Sequence, residues 1–397
     1  MKSAPSALQE SAGKPIPFWH NPARRAVVYQ VVALLVTASI GWYLFHNTVT
    51  NLQRQSIATG FGFLGKEASF EIGESLIAYS ASHPYVRALL VGLLNTIKVA
   101  VVGISLTLVL GLIIGICRLS SNWLVSRIAA AYIEVFQDIP VLLQLLFWYA
   151  LFYESLPPPR MALEPLPGVF LCNRGLIFAV PASHPVYWAI LAAFLIGCVI
   201  VFLMRRWARR RQEKTGEIFP VVRVSIGILI GLPLLVWLLG GRPTAMNVPE
   251  LSGFNFTGGM SVSPEFTALL LGLVFYTAAF VAEIVRAGIQ AVSKGQTEAA
   301  MAIGLKPWQI MNLVILPQAL RIIIPPLTSQ MLNLTKNSSL AVAIGYPDFV
   351  SVTNTTINQT GQAIEGVAMI MIVYLMMSLI TSLFMNWYNR KMALVER

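Results

Sequence analysis

Long apolar runs are the feature that most constrains this chain. Several runs of about 18 or more mostly apolar residues occur among its 397 residues, and a helix needs roughly 20 such residues to cross the hydrocarbon core of a bilayer. The runs lack the alternation over about ten residues that is typical of outer-membrane barrel strands. With 56% hydrophobic and 11% charged residues, the chain is also too apolar for an average soluble domain. The expected fold is an all-α polytopic membrane protein.

Hydropathy and charge together predict the topology. If the N-terminus is cytoplasmic, the connecting segments on that side hold 18 basic residues, against 6 on the other side. Because basic residues accumulate on the cytoplasmic side, both termini are expected to be cytoplasmic. The net charge of +11 is therefore assigned to orientation and to anionic membrane lipid, and no nucleic-acid partner is expected. About eight spans are predicted, at residues 26–46, 88–117, 126–153, 186–204, 220–240, 264–290, 318–338 and 366–388.

Four regions are predicted along the chain. Residues 1–87 hold an N-terminal tail without a cleavable signal peptide, the first span and a periplasmic loop. Residues 88–153 and 264–397 form the two parts of a five-span core, and residues 154–263 insert periplasmic loops and a basic helical hairpin between them. The loops on the periplasmic side are expected to hold short structure at most. The chain lacks a convincing inverted duplication, which counts against a self-contained, ion-driven carrier.

A polar, small-residue segment near residue 300 interrupts the apolar pattern. Residues 296–303 favour a short helix that Thr297 can cap, and Gly304 suits the left-handed position that ends a helix. Pro307 can begin a second helix, on which Trp308 and Ile310 offer apolar anchors for a partner. The alternative is an ordinary interfacial helix-turn-helix that binds nothing.

The spacing within this segment carries a family resemblance. Glu298-Ala299-Ala300, then Gly304, then Val314-Ile315-Leu316-Pro317 resembles the signature of permease subunits of ABC importers. Further segments resemble the polar amino-acid uptake family, and the whole pattern is most similar to the Q-type membrane subunit of bacterial general L-amino-acid transport systems. These segments are Leu93-Leu94-Asn95-Thr96-Ile97-Lys98, Ala282-Glu283-Ile284-Val285-Arg286, Leu316-Pro317-Gln318-Ala319-Leu320-Arg321 and Lys336-Asn337-Ser338-Ser339-Leu340.

The resemblance implies a five-helix type I importer core in a bacterial inner membrane. It implies a homologous permease subunit, two ATPase subunits and a periplasmic amino-acid-binding protein as partners. The loop 291–317 would contact the ATPase. ATP and Mg would be bound by the ATPase, since this chain has no phosphate-binding Gly-x-x-x-x-Gly-Lys-Ser/Thr motif. No enzyme activity, cofactor or metal site is expected in this chain. The residues implied in ATPase coupling are Glu298, Ala299, Ala300, Gly304, Trp308, Leu316 and Pro317.

Polar residues in or beside the core spans are candidates for the substrate path, since an unpaired charge in the bilayer is costly. A zwitterionic amino acid needs groups of both signs, and this set supplies them. Glu283 and Arg286 can instead neutralise each other, and Lys336 to Ser339 can instead cap a helix end. At Gln137 and Asp138 the sequence departs from the usual family pattern. The candidates are Lys98, Glu134, Gln137, Asp138, Gln144, Glu283, Arg286, Lys336, Asn337, Ser338 and Ser339.

Two other interpretations remain open from the residues. A stand-alone channel or ion-coupled amino-acid carrier would use the intramembrane charges as an ion relay. A membrane scaffold without a transport role would leave those charges without a purpose. Gly111 and Gly115, four residues apart in an apolar run, are interpreted as helix-packing positions in every case.

Overall fold

The computed structural model describes residues 22–54, 59–217 and 219–392. The predicted cytoplasmic ends, and with them the predicted absence of a signal peptide, involve residues outside these ranges. The described residues form helices α1 (Pro22–Arg54), α2 (Tyr85–Arg118), α3 (Trp123–Asp138), α4 (Val141–Glu154), α5 (Val186–Thr215), α6 (Val221–Leu239), α7 (Pro264–Gln290), α8 (Lys294–Ala302), α9 (Pro307–Gln309), α10 (Leu316–Asn337), α11 (Phe349–Thr360) and α12 (Ala363–Met392). A π-helical turn covers Ile310–Ile315, and 3₁₀ turns cover Phe61–Gly65, Pro159–Met161 and Ser338–Ile344.

Membrane-spanning helices dominate the described part of the chain. Seven segments are long and apolar enough to cross a bilayer, or up to eight if α3 and α4 together count as one span. The prediction of an all-α polytopic protein with about eight spans is confirmed. The third predicted span, at 126–153, is broken into two helices, because the chain bends by 102° between α3 and α4. Ile139 is extended and Pro140 follows it, as expected where a proline excludes the preceding residue from a helix.

Helix α7 lies at the centre of the core and packs against α2, α3, α4 and α10. Its start is well defined, because the Ser263 hydroxyl accepts a hydrogen bond from the Phe266 N–H at 3.1 Å and Pro264 occupies the first turn. Leu269 and Leu273 are fully buried, together with several alanines on the same helix. We call the end of the core at Pro264 the sheet face and the end at Gln290 the loop face.

Two glycines let α2 approach α7 closely. A Cβ atom at Gly111 would lie 2.5 Å from the Val281 Cγ1, and one at Gly115 would lie 2.9 Å from the Ala282 carbonyl oxygen. Such distances are shorter than van der Waals contact, so only glycine fits at this separation. The interpretation of both residues as packing positions is confirmed.

A short helix that hydropathy did not predict follows α10. After α10 the chain tightens into a 3₁₀ turn and then begins α11, where the Asp348 carboxylate accepts a hydrogen bond from the Ser351 N–H at 2.8 Å. Helix α11 packs against the start of α2. At 12 residues it is too short to span a bilayer, so it gives no hydropathy signal of its own.

The insertion folds into a helical hairpin with small antiparallel sheets. Helices α5 and α6 pack against each other. The main sheet has the order β1-β2-β3-β8, and β4-β5 and β6-β7 form two-stranded pairs. The strands are β1 (Leu163–Leu166), β2 (Val169–Cys172), β3 (Gly175–Phe178), β4 (Val180–Pro181), β5 (Met246–Asn247), β6 (Glu250–Ser252), β7 (Asn255–Thr257) and β8 (Met260–Val262).

One strand pairing joins the two inserted loops. Strand β3 precedes the helical hairpin and β8 follows it, yet Leu176 pairs with Val262 and Phe178 pairs with Met260. Strand β8 then leads through Ser263 directly into α7. The insertion is thereby attached to the central helix at the sheet face.

Helix α1 differs from the other spans in its surroundings. Nearly all of its described side chains are exposed, including Trp42 and Leu34. Its apolar surface matches a span that faces lipid or another subunit.

Candidate transport path and loop 291–317

The first helix of the loop begins earlier than predicted. Helix α8 starts at Lys294, so Thr297 lies inside it and the expectation that Thr297 caps it is wrong. Glu298 and Ala299 are exposed on this helix, whereas Ala300 is only 4% exposed. One side of α8 therefore faces the rest of the loop, and Glu298 points away from it.

Gly304 ends this helix in the left-handed conformation, with φ +82°. The Leu305 N–H donates to the Ala300 carbonyl at 3.1 Å, and the Gly304 N–H donates to the Met301 carbonyl at 2.9 Å. This pair of bonds is a Schellman motif, which favours glycine at the left-handed position. The prediction that Gly304 ends the helix is confirmed.

The second part of the loop is continuous with the next span. Helix α9 passes through the π-helical turn into α10, and Leu316 and Pro317 form the first turn of α10. A proline at the first turn needs no donor, and the wider π turn before it absorbs the change in hydrogen bonding.

Exposed apolar side chains mark the outer surface of the loop. Met301, Ile303, Trp308 and Leu313 are 59%, 77%, 63% and 64% exposed. The exposure of Trp308 fits the expected anchor, but Ile310 is only 3% exposed and cannot serve as one. Ile310 begins the π turn and faces the protein, because residues two apart on a helix lie on nearly opposite sides.

Side-chain amides connect the loop to α10. Gln318 donates to the Val314 carbonyl at 3.0 Å and to the side chain of Gln296 at 3.4 Å. Gln296 lies on α8 and Gln318 on the first turn of α10. This hydrogen bond joins α8 to the start of α10.

Among the charged candidates, Lys98 is already paired. Its ammonium forms an ion pair with Glu74 and lies 4.1 Å from the centre of the Phe266 ring. Glu74 also accepts a hydrogen bond from Ser263 at 2.6 Å. The pair connects α2 to the loop before it and to the residue that caps α7. Sequence reasoning identified Lys98 but not Glu74.

Glu283 and Arg286 pair with each other on α7, as one of the two interpretations expected. The Arg286 Nε donates to Glu283 at 2.9 Å, and a second guanidinium nitrogen also contacts the carboxylate. The remaining guanidinium nitrogen donates to Gln290 at 2.7 Å. The pair is neutral and lies towards the loop face.

The candidates around the α3–α4 bend separate into buried and exposed groups. Gln144 is 4% exposed and donates to the carbonyls of Phe136 at 3.0 Å and Ile139 at 2.9 Å. It thereby satisfies carbonyl groups that the broken helix leaves free. Glu134 and Asp138 are exposed, and Gln137 is partly exposed.

The candidates at the end of α10 serve partly as helix caps. The hydroxyls of Ser338 and Ser339 donate to the carbonyls of Thr335 and Lys336, each at 2.7 Å. Lys336 is exposed. Asn337 lines a polar cavity of about 280 Å³ between α7 and α10, together with Tyr276, Thr277, Phe280, Gln330 and Asn333.

Sequence reasoning missed a polar network at the start of α2. Asn95 donates to the carbonyls of Glu74 and Pro347 at 2.8 and 2.9 Å, and Thr96 accepts from the Phe349 N–H at 2.9 Å. Asp348 is fully buried, and this burial raises the pKa of its carboxyl to about 6. Hydrogen bonds from Ser351 and Tyr374 lower the same pKa, but by less than burial raises it. The family-like segment Leu93 to Lys98, which contains Asn95 and Thr96, could have indicated this network.

Similarity to known proteins decides which family contains this chain. The chain is 51% identical over 378 residues to the general L-amino acid transport system permease protein AapQ of Rhizobium johnstonii, covering 95% of this chain and 94% of that protein. The chain belongs to the ABC amino-acid permease subunits. Residues 218–394 of this permease match the family described as binding-protein-dependent transport system inner membrane component.

Other relatives of this ABC permease have similar names. It is 49% identical over 378 residues to the putative amino-acid ABC transporter permease protein YhdX of Escherichia coli K12, covering 95% of this chain and 96% of that one. It is 41% identical over 406 residues to the glutamate/glutamine/aspartate/asparagine transport system permease protein BztB of Rhodobacter capsulatus, covering 94% and 95%. A crystal structure of an amino acid ABC transporter with histidines matches with a TM-score of 0.46 and 22% identity, covering 77% of this chain and 95% of that one.

Membership in this family resolves the alternatives left by the residues. The ABC permease is a membrane-integral transport subunit and not an enzyme, and its ATPase is a separate chain. ATPase and permease partner subunits follow from the ABC system. A stand-alone ion-coupled carrier and a scaffold without transport are not supported.

Proposed function

We propose that this permease subunit and a homologous subunit line an alternating-access path for L-amino acids in a bacterial inner membrane. A periplasmic amino-acid-binding protein delivers the substrate, and two ATPase subunits bind ATP and Mg²⁺. The names of the relatives, which include general L-amino acids and the acidic amino acids with their amides, support this substrate class. Regions 88–153 and 264–397 form the permease core, with 1–87 and 154–263 as additions.

The exposed apolar side chains of the loop are the observation that carries the coupling mechanism. Met301, Ile303 and Trp308 stand exposed at the opposite end of α7 from the sheets. Large exposed apolar side chains on a polar loop favour docking against another protein. The loop face is then cytoplasmic, and the sheet face is periplasmic. Glu298, Ala299, Ala300, Gly304, Trp308, Leu316 and Pro317 act in this contact or hold its shape.

Movement can pass from the ATPase to the core through continuous helix. Ala300 is buried, and the Gln296–Gln318 hydrogen bond connects α8 to α10. Because α9, the π turn and α10 follow without a gap, closure of the ATPase subunits displaces α10 relative to α7. The polar cavity between α7 and α10 is the proposed central part of the substrate path. Of the path residues predicted from the sequence, Asn337 lines this cavity.

Reconstitution of the complete transporter tests this function. The chain is purified with its partner permease and ATPase and placed in proteoliposomes with the binding protein. We expect ATP-driven uptake of L-amino acids only when every component is present. A Trp308→Cys variant is expected to form a disulfide with a cysteine placed in the ATPase surface. Uptake by this chain alone, without ATP, would overturn the proposal.

A further inference from the structure

A second polar cavity lies on the sheet face, away from the residues assigned to the path. Its volume is about 580 Å³, within the range of about 300–1,000 Å³ that is common for small-molecule sites. The inserted sheets contribute Asn173, Arg174 and Asn255, and the permease core contributes Tyr153 and Glu265. The cavity therefore exists only because the insertion packs over the start of α7.

The position of Arg174 relative to α7 is set by strand pairing. Arg174 lies in the two-residue turn between Cys172 and Gly175, which pair across the β2–β3 hairpin. Gly175 has φ +108°, and a Cβ atom there would lie 2.0 Å from the Val262 carbonyl oxygen. This turn is therefore pressed against the last residue of β8, three residues before Glu265. The preceding Asn173 N–H donates to the Pro157 carbonyl at 2.9 Å, which fixes the other side of the turn.

The cavity presents charges of both signs without internal neutralisation. In the described part of the chain, neither Arg174 nor Glu265 takes part in an ion pair. Both charges are therefore available to a ligand that carries groups of the opposite signs.

These groups match the two ends of a free amino acid. A guanidinium can bind a carboxylate through two parallel N–H···O bonds, and a carboxylate accepts hydrogen bonds from an ammonium group. One cation and one anion suit a zwitterion better than a ligand with a single net charge, which would leave one of the two groups unpaired.

The cavity continues towards the core. A neighbouring cavity of about 380 Å³ shares Gly73, Ser263 and Glu265 with it. The 380 Å³ cavity reaches Gly345 and Pro347, which follow the 3₁₀ turn at the end of α10. Glu265 thus lines both cavities.

We propose that Arg174 and Glu265 form an outer binding site for a free amino acid, with Arg174 on the α-carboxylate and Glu265 on the α-ammonium. The site holds the substrate on the periplasmic side before it enters the path between α7 and α10. This inference rests on the proposed function, because it takes the same cargo. It gives the inserted region a role in substrate capture.

Ligand binding to the complete transporter in nanodiscs, without the binding protein, tests this site. L-alanine is the probe, and L-alaninamide and propionate are competitors that lack the carboxylate and the ammonium, respectively. Arg174→Gln is expected to weaken L-alanine binding about tenfold and to abolish the preference over L-alaninamide. Glu265→Gln is expected to abolish the preference over propionate. Saturation-transfer NMR measures both preferences.

Matched controls and a second assay make the outcomes distinct. Lys66→Gln and Glu67→Gln change exposed charges that line neither cavity and should bind like wild type. Unchanged binding and unchanged preferences in both site variants would overturn the inference. So would a defect seen only with the binding protein present, since Arg174 would then contact that protein. If Glu265→Gln fails to assemble, Arg174→Gln, on an exposed turn, still decides. Failure of wild type to show ATP-driven uptake would instead reject the proposed function.

Discussion

A methyl group at Gly111 of α2 would fall 2.5 Å from the Cγ1 of Val281 on α7. Within a bilayer, where lipid tails are as apolar as side chains, such close approach is a principal source of helix association. Helix α7 is also the element that begins at the inserted sheet and ends at the loop. The contact therefore holds α2 against the helix that begins at the inserted sheet and ends at the loop.

Gly111→Ala is expected to destabilise the protein by about 1–3 kcal/mol, because the added methyl group overpacks the contact. The midpoint of thermal unfolding in detergent measures the change. Gly227→Ala is the matched control, since no atom lies within 4 Å of a Cβ at Gly227 in α6. Alanine there should be neutral or slightly stabilising. Equal losses in the two variants would contradict a specific contact at Gly111.

Gly304→Val is expected to lower ATP-driven uptake and binding-protein-stimulated ATPase activity together, while the permease remains in the membrane. A β-branched residue at φ +82° costs about 1–3 kcal/mol and distorts the loop. Gly295→Val, in the same loop but without a positive φ, is the control and should couple normally. Normal stimulated ATPase activity in Gly304→Val would remove the loop from the coupling mechanism.

Lys98→Met is expected to cost more stability than the double variant Lys98→Met with Glu74→Gln. The single change leaves the Glu74 carboxylate, whose side chain is 17% exposed, with Ser263 but without its cation. An unpaired and mostly buried charge costs about 1–3 kcal/mol or more. A double-mutant cycle on unfolding free energies measures the coupling. Additive losses would mean that the ion pair contributes nothing.

The carboxyl of Asp348 should make stability depend on pH. Burial raises its pKa from the ordinary 3.8 to about 6, so the folded state binds a proton that the unfolded state releases. Stability from this group is full below pH 3.8 and is lost as the pH rises through about 6. The loss is on the order of 3 kcal/mol at most. Asp348→Asn keeps an acceptor for Ser351 and should become relatively more stable between pH 4.5 and 7.5. A constant difference over that range would reject this assignment.

Gln144→Leu is expected to destabilise the α3–α4 bend by about 1–3 kcal/mol, because two carbonyls lose their donor. Gln137→Leu, one turn before the bend and with no hydrogen bond in the described structure, is the control. Comparison of their unfolding free energies separates the two roles. If the substrate path used Gln144 instead, Gln144→Leu would alter amino-acid affinity at unchanged stability.

Features that depend on neighbouring residues alone could be predicted from the sequence. The left-handed Gly304 follows from the chemistry of glycine at a helix end, and the spans follow from their apolar length. The prediction of Ile310 as an anchor failed, because residues two apart on a helix lie on nearly opposite sides, so Trp308 and Ile310 cannot face one partner. The bend at Pro140 was hidden because α3 and α4 together have the apolar length of one span.

Contacts between distant segments account for the remaining differences. Lys98 stood out as an intramembrane charge, but its partner Glu74 lies in a polar loop 24 residues earlier. The β3–β8 pairing joins segments separated by two helices, and strands of three or four residues give no periodic signal. The 580 Å³ cavity on the sheet face depends on that pairing, so no sequence pattern indicated Arg174 as a site residue.

The chain runs from β8 through Ser263 directly into α7, so the position of the inserted sheet depends on the orientation of the central helix. If α7 tilts during the transport cycle, we expect β8, which leads directly into it, and the paired strand β3 to move with it. A fluorophore on the exposed residue Met161, beside this sheet, would then report the angle of a helix that is itself buried and inaccessible to labels. A label on the insertion would thus report conformational changes of the core from outside the membrane.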